Sequence, residues 1–241
     1  MSESMQTAME IGFNILYLIV IWVMVVIMTR RLPEVASENL PVANRFRWAF
    51  LLLALGDTGH VGFRVVAYAL GGLEANPLWV GMGALATAIT VTIFYVIILD
   101  IWRVRFDRNY GWFEYLLIAS VPVRFVVMAL PGNDWGSVVP PVFWGPLRNI
   151  FLIILGIGVL FLILRDAFKN KDLLFQRVGY CIFFSYLFYT PVILWVRAYP
   201  MLGMLMIPKT IMYIAIAFLA YYGLYPSTRM INPLKSTNTE G

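Results

Sequence analysis

Residues 11–31 read IGFNILYLIVIWVMVVIMTRR, a run with no charge from Ile11 to Thr29 that stops at two arginines. A helix crossing about 30 Å of hydrocarbon needs about 20 apolar residues. This run has that length. It is continuously apolar and does not alternate with a period of two, so it reads as a spanning helix and not as a barrel strand. Arginine just beyond a span favours the cytoplasmic side. Glu3 and Glu10 precede the run with no basic residue among them, unlike the positive start of a cleaved signal peptide. The segment is therefore expected to be a retained span with its N-terminus outside.

The same pattern recurs along the chain. Spans are expected near residues 11–29, 48–70, 78–102, 112–130, 146–164, 178–199 and 201–224, separated by breakers such as Leu32-Pro33, Gly71-Gly72, Asn109-Tyr110-Gly111, Pro131-Gly132-Asn133 and Lys169-Asn170-Lys171-Asp172. Tyr199-Pro200 alone divides the last two, which must share a tight turn. Composition agrees: 61% hydrophobic and 13% charged residues, with a mean hydropathy of +0.80, exclude a soluble domain. The fold class is all-α, a polytopic integral membrane protein of seven transmembrane helices. It forms a single domain over 1–241, with residues 226–241 as a short cytoplasmic tail. Trp79, Trp112, Trp135, Trp144 and Tyr199 read as interfacial anchors.

The basic residues test this division independently. Arg30, Arg31, Arg45 and Arg47 fall in the first connection, Arg103, Arg105 and Arg108 in the third, Arg165, Lys169, Lys171 and Arg177 in the fifth, and Arg229 and Lys235 in the tail. The opposite set carries acids: Glu3, Glu10, Glu74 and Asp134. Only an odd number of spans gives this alternation, with the N-terminus outside and the C-terminus cytoplasmic. A multi-pass protein of the cell membrane, of bacterial inner-membrane type, is expected. The net charge of +5 forms no basic stripe on a polar domain, so nucleic acid is excluded as a partner. A single cysteine, Cys181, allows no intrachain disulfide or thiolate metal cluster and reads as a small core residue.

Five cations remain once the cytoplasmic set is removed: Arg64, Arg124, Arg148, Arg197 and Lys209. With the spans alternating, all five fall in the outer half of the membrane, Arg124 and Lys209 deepest, beside Pro122 and Pro208. Ionisable groups at membrane depth cost at least a few kcal/mol and mark interiors, cavities and functional sites. Asp57 is the one clearly intramembrane carboxylate at that depth, with Glu74 and Asp134 available only from loops. The imbalance predicts a cavity that attracts an anionic small molecule or lipid headgroup. Arg148 and Arg197, near helix ends, have the ordinary alternative of reaching the headgroups.

Within the second span, Gly56-Asp57-Thr58-Gly59-His60-Val61-Gly62-Phe63-Arg64 is the most polar stretch. Spacings of three, four and seven put Asp57, His60 and Arg64 on one helical face. Asp57 three residues before His60 is expected to orient the imidazole, as in general acid/base chemistry; the plainer alternative is a structural hydrogen-bond network. His60 is the only histidine, so no metal site is expected and no cofactor is implied. Asp100 beside Arg103, and Asp166 beside Arg165, read as surface ion pairs. Thr87, Thr90 and Thr92 read as bonding their own helix, and Tyr95, Tyr186, Tyr189 and Tyr213 as packing.

Gly56, Asp57 and Arg64 together resemble a motif of the YhhN family of membrane lysoplasmalogenases, in which a Gly-Asp pair in a span is followed by an Arg seven residues after the Asp. Gly158-Val159-Leu160-Phe161 with Arg165-Asp166 is similar to a later pattern of that family, except that Arg165 stands where a Ser is expected. Those proteins usually have eight spans. The resemblance implies hydrolysis of a lysophospholipid vinyl ether, with Asp57 as acid/base and Asp166 as a second carboxylate. The expected function is thus a membrane-embedded hydrolase acting on a lysophospholipid or similar anionic lipid, with Asp57 and His60 catalytic and Arg64, Arg124, Lys209, Arg148 and Arg197 gripping the anion. The alternatives are an anion or small-solute transporter, a channel or a seven-span sensor. Lys209 in the last span also resembles the retinal-bearing lysine of microbial rhodopsins, although the third span has no carboxylate or Arg from Trp79 to Ile98 to serve it.

Overall fold

The computed structural model describes residues 3–137 and 141–225, with side chains from Gly12 onward. The tail 226–241, with Arg229 and Lys235, lies outside the described residues, as do the side chains of Glu3 and Glu10. Seven α-helices follow one another: α1 (Glu3–Arg31), α2 (Leu40–Ala69), α3 (Pro77–Arg105), α4 (Trp112–Ala129), α5 (Trp144–Lys169), α6 (Leu173–Trp195) and α7 (Met206–Leu224). All seven are long and apolar enough to cross a membrane, as the sequence predicts, the seventh counted together with the 3-10 segment before it.

The helix ends follow from local chemistry. Proline occupies the first turn of α2 and α3, where its missing N–H costs no helical hydrogen bond. The Asp172 carboxylate caps α6 by accepting the Phe175 N–H, and the Glu114 carboxylate accepts the N–H of Gly111 before α4. Asn133 closes the other end of α4 by donating to the carbonyls of Val127 and Leu130. Gly71 and Gly72 turn the chain after α2 with φ of 108° and 110°, angles that side chains resist.

The last turn departs from expectation. A 3-10 segment, Pro200–Leu205, precedes α7, so Lys209 and Pro208 sit in the first turn of that helix and not at depth within it. Pro208 therefore breaks no helical hydrogen bond. Pro122 and Pro191 do interrupt α4 and α6.

Lipid tails are as apolar as leucine, so helices associate by close packing more than by a hydrophobic drive. The tightest seam is α2 against α3. A Cβ at Gly56 would lie 1.8 Å from Thr90 Oγ1, so only glycine lets the two backbones approach there. Thr87 donates across the same seam to the Gly56 carbonyl, whereas Thr90 and Thr92 bond within α3. Leu16, Ile19, Val23 and Val26 of α1 point outward, as a lipid-facing stripe must.

Ion pairs gather at one end of the bundle. Asp100 holds Arg45 and Arg103, Asp172 holds Arg105, and Asp166 holds Arg108 and Arg165. Tyr225, just past α7, donates to the Ala43 carbonyl near the start of α2 and closes the same end. Burial and the Asp100 carboxylate raise Tyr110, between α3 and α4, above the ordinary phenol range. Asp166 is not the surface pair that its place beside Arg165 predicts. It is 2% exposed and also accepts the Trp102 indole N–H at 2.9 Å, because α3 packs over it.

Candidate functional site

At the opposite end the helices part around a cavity of about 450 Å³. Asp57, His60, Arg64, Arg124, Arg148 and Lys209 all line it. They come from α2, α4, α5 and α7, so separate spans converge on one space. Arg197 is exposed in the turn after α6 and does not reach the cavity; the headgroup-facing alternative describes it. Asp166, the second carboxylate implied by the family resemblance, lies at the ion-paired end, held by Arg108, Arg165 and Trp102.

Arg124 is the most demanding residue of the site. It is 1% exposed on α4, and its Nε and Nη1 meet no acceptor among the described residues. Taking a guanidinium out of water without a partner costs several kcal/mol. Tyr186, Tyr189 and Arg148 lie within electrostatic reach, but none brings a negative charge. Arg148 is 9% exposed and stacks on the Trp135 ring, 4.1 Å from its centroid. Stacking of this kind leaves the edge N–H groups free to bind. Lys209 places its ammonium 4.4 Å from the Tyr189 centroid and 5.4 Å from that of Tyr213. Arg148, Lys209 and Arg64 make no ion pair among the described residues.

Asp57, the one lining carboxylate among the described residues, is engaged elsewhere than expected. The Tyr17 hydroxyl, on α1, donates to Asp57 Oδ2 at 2.6 Å. Asp57 does not orient His60, whose Nδ1 is buried without a partner. Tyr17 approaches the carboxylate from the neighbouring helix, and the i, i+3 contact between Asp57 and His60 expected along α2 is not made. His60 instead packs its backbone against Gly83 of α3. Asp57 lies within electrostatic reach of Lys209 without forming an ion pair.

Tyrosines build the wall between these charges. Tyr95 and Tyr213 share a hydrogen bond of 3.1 Å, Tyr189 donates to Asn149 Oδ1 at 3.3 Å, and Tyr186 donates to the Leu152 carbonyl at 3.0 Å. Gly156 makes room for the last of these, since a Cβ there would lie 1.7 Å from the Tyr186 hydroxyl. Tyr17, Trp135, Asn149 and this tyrosine set were not readable as site residues. For the tyrosines and Asn149 the available signal was placement inside spans and not at the interface, where Tyr and Trp are commonest. Trp135, expected as a membrane anchor, is a cavity wall whose indole donates to the Met128 carbonyl.

The arrangement can hold a compact anion among Arg124, Arg148 and Lys209, with tyrosine and tryptophan faces in the surrounding wall. One carboxylate bonded to a phenol, and one imidazole with a free ring nitrogen, stand beside it. No group of three or more His, Cys, Asp or Glu able to hold a metal comes together among the described residues. No protein-family model, curated protein or solved structure matches the chain. The resemblance carried by Gly56, Asp57 and Arg64 rests on those residues alone.

Proposed function

We propose that this is a multi-pass protein of a bacterial inner membrane, with its N-terminus outside and its C-terminus in the cytosol, whose outward-facing cavity binds the anionic group of a lysophospholipid or similar anionic lipid and hydrolyses it. The observation that carries the binding half is Arg124, a guanidinium buried to 1% exposure with two nitrogens lacking an acceptor. Hydrogen bonds between ions and charged donors are about twice as strong as neutral ones, and a phosphate offers Arg124, Arg148 and Lys209 several acceptors at once. The orientation is supported by the arginine-rich far end, which matches a cytoplasmic face.

The hydrolytic half draws on Asp57 and His60. Hydrolysis takes one proton from the attacking water and returns one to the departing oxygen. Asp57, hydrogen-bonded by Tyr17, and His60, with a free Nδ1, both line the cavity and can serve those transfers. Incubation of the purified protein with lysophospholipids, vinyl-ether forms included, tests it. Turnover that Asp57→Asn abolishes is expected. Turnover equal in Asp57→Asn and the unaltered chain, or none at all beside intact anion binding, would remove the hydrolase and leave a transporter, channel or sensor.

A further inference from the structure

The cavity has a roof and a side opening, and they differ in chemistry. The roof is packed: Trp135, in the α4–α5 connection, lines the cavity, Arg148 stacks on it, and its carbonyl oxygen lies 1.4 Å from where a Cβ on Gly81 of α3 would be. The side opening lies between the first half of α1 and the second half of α2. Ile15, Val65 and Tyr68 line the cavity, yet they are 48%, 56% and 44% exposed on helices that face lipid. Phe13 and Val61, half-buried, continue the lining inward, with Asn14 and Arg64 as the polar residues of the same two stretches. Below them α1 and α2 are joined by the Tyr17 to Asp57 hydrogen bond and by the Trp22 indole donating to Thr58 at 2.9 Å.

Resting on the anion-binding reading above, we infer that the ligand is an amphiphile that enters sideways from the bilayer, its phosphate or carboxylate head among Arg124, Arg148 and Lys209 and its acyl chain leaving between α1 and α2. A doorway whose most exposed residues are Ile15, Val65 and Tyr68 is a poor path for a free, hydrated anion. It suits a lipid, because the chain exchanges one hydrocarbon environment for another and loses nothing by staying in the gap. Only the head must shed water, and the unpaired cations offset that cost. Arg64, on the same stretch of α2, is the first cation an entering head meets, and the Tyr17 to Asp57 bond closes the gap below it.

The test uses the full chain in phosphatidylcholine nanodiscs, titrated with 1-oleoyl lysophosphatidate and with glycerol 3-phosphate, which has the same head and no chain. Ile15→Trp with Val65→Trp narrows the doorway at two lipid-facing positions that carry no core packing. It is expected to weaken or slow lysophosphatidate binding at least about tenfold. Leu16→Trp with Val66→Trp, exposed but not lining the cavity, is expected to stay within about twofold of the unaltered chain. A lysophosphatidate with a photoreactive group in mid-chain is expected to label residues 13–15 and 61–68, a readout needing no variant. Lysophosphatidate binding that Arg124→Met abolishes but the doorway substitutions leave intact, or labelling confined to α4 and α6, would overturn the side entry while keeping the anion site. Glycerol 3-phosphate binding as tightly as lysophosphatidate would likewise move the entrance to the aqueous face. Binding unchanged in Arg124→Met would remove the anion site itself, and the doorway with it.

Discussion

The two ends of this bundle use arginine in opposite ways. At the α3–α5 end, Asp100, Asp166 and Asp172 each hold one or two arginines, and the pairs tie the start of α2, the end of α3, the end of α5 and the start of α6 together. At the cavity end, Arg64, Arg124, Arg148 and Lys209 share a single lining carboxylate among the described residues, hydrogen-bonded to Tyr17. A buried charge with a matched counter-ion is a structural clasp. A buried charge without one is a standing potential for a ligand. Arginine itself therefore says little about function in this chain; the count of carboxylates within reach says a great deal.

That contrast makes unequal predictions. Asp166→Asn should have the largest effect on stability, because it strips the counter-charge from Arg108 and Arg165 and weakens the Trp102 bond. Breaking a fully buried pair costs about 3–5 kcal/mol, and the two arginines, 39% and 45% exposed, can recover part of this from water, so about 2–3 kcal/mol is expected in detergent unfolding. A loss below about 1 kcal/mol, the size expected of a surface pair, would break the clasp reading. Gly56→Ala should come next, at about 1–3 kcal/mol, since its Cβ overlaps Thr90 and forces α2 from α3. Part of that loss should return with Thr90→Ala in the same chain. Gly62→Ala, six residues along the same helix with nothing within 4 Å of the added Cβ, should fall within about 0.5 kcal/mol of the unaltered chain or slightly above it. Equal losses at Gly56 and Gly62 would contradict the seam.

The sequence makes the topology legible because hydropathy and charge report on the membrane, and the membrane acts on every span alike. Alternating basic connections place Asp57, His60, Arg64, Arg124, Arg148, Arg197 and Lys209 in one half of the membrane, and the structure gathers all but Arg197 around one cavity. Depth is only one coordinate. Which way each residue turns about its helix axis depends on packing, and there the expectations part from the structure: Arg197 turns outward, Asp166 is covered by α3, and Trp135 folds inward from the expected anchor belt. Asp57 pairs with Tyr17, forty positions away, because α1 lies beside α2; no local spacing encodes that contact. The tyrosines of α3, α6 and α7 carry no motif either, and only their convergence gives them a role.

The central claim is that Arg124, which meets no acceptor at Nε or Nη1 among the described residues, is held there to bind an anion. Thermal unfolding of the unaltered chain and of Arg124→Met, each with and without inorganic phosphate and lysophosphatidate, tests it most directly. The account predicts that an anion stabilises the unaltered chain, by about 2.7 kcal/mol at a hundred times its dissociation constant. It also predicts that Arg124→Met, alike in length and without the charge, is as stable as the unaltered chain or more so and gains nothing from either anion. An unaltered chain indifferent to both anions, together with an Arg124→Met chain destabilised by several kcal/mol, would show that the guanidinium serves the fold and would contradict the claim.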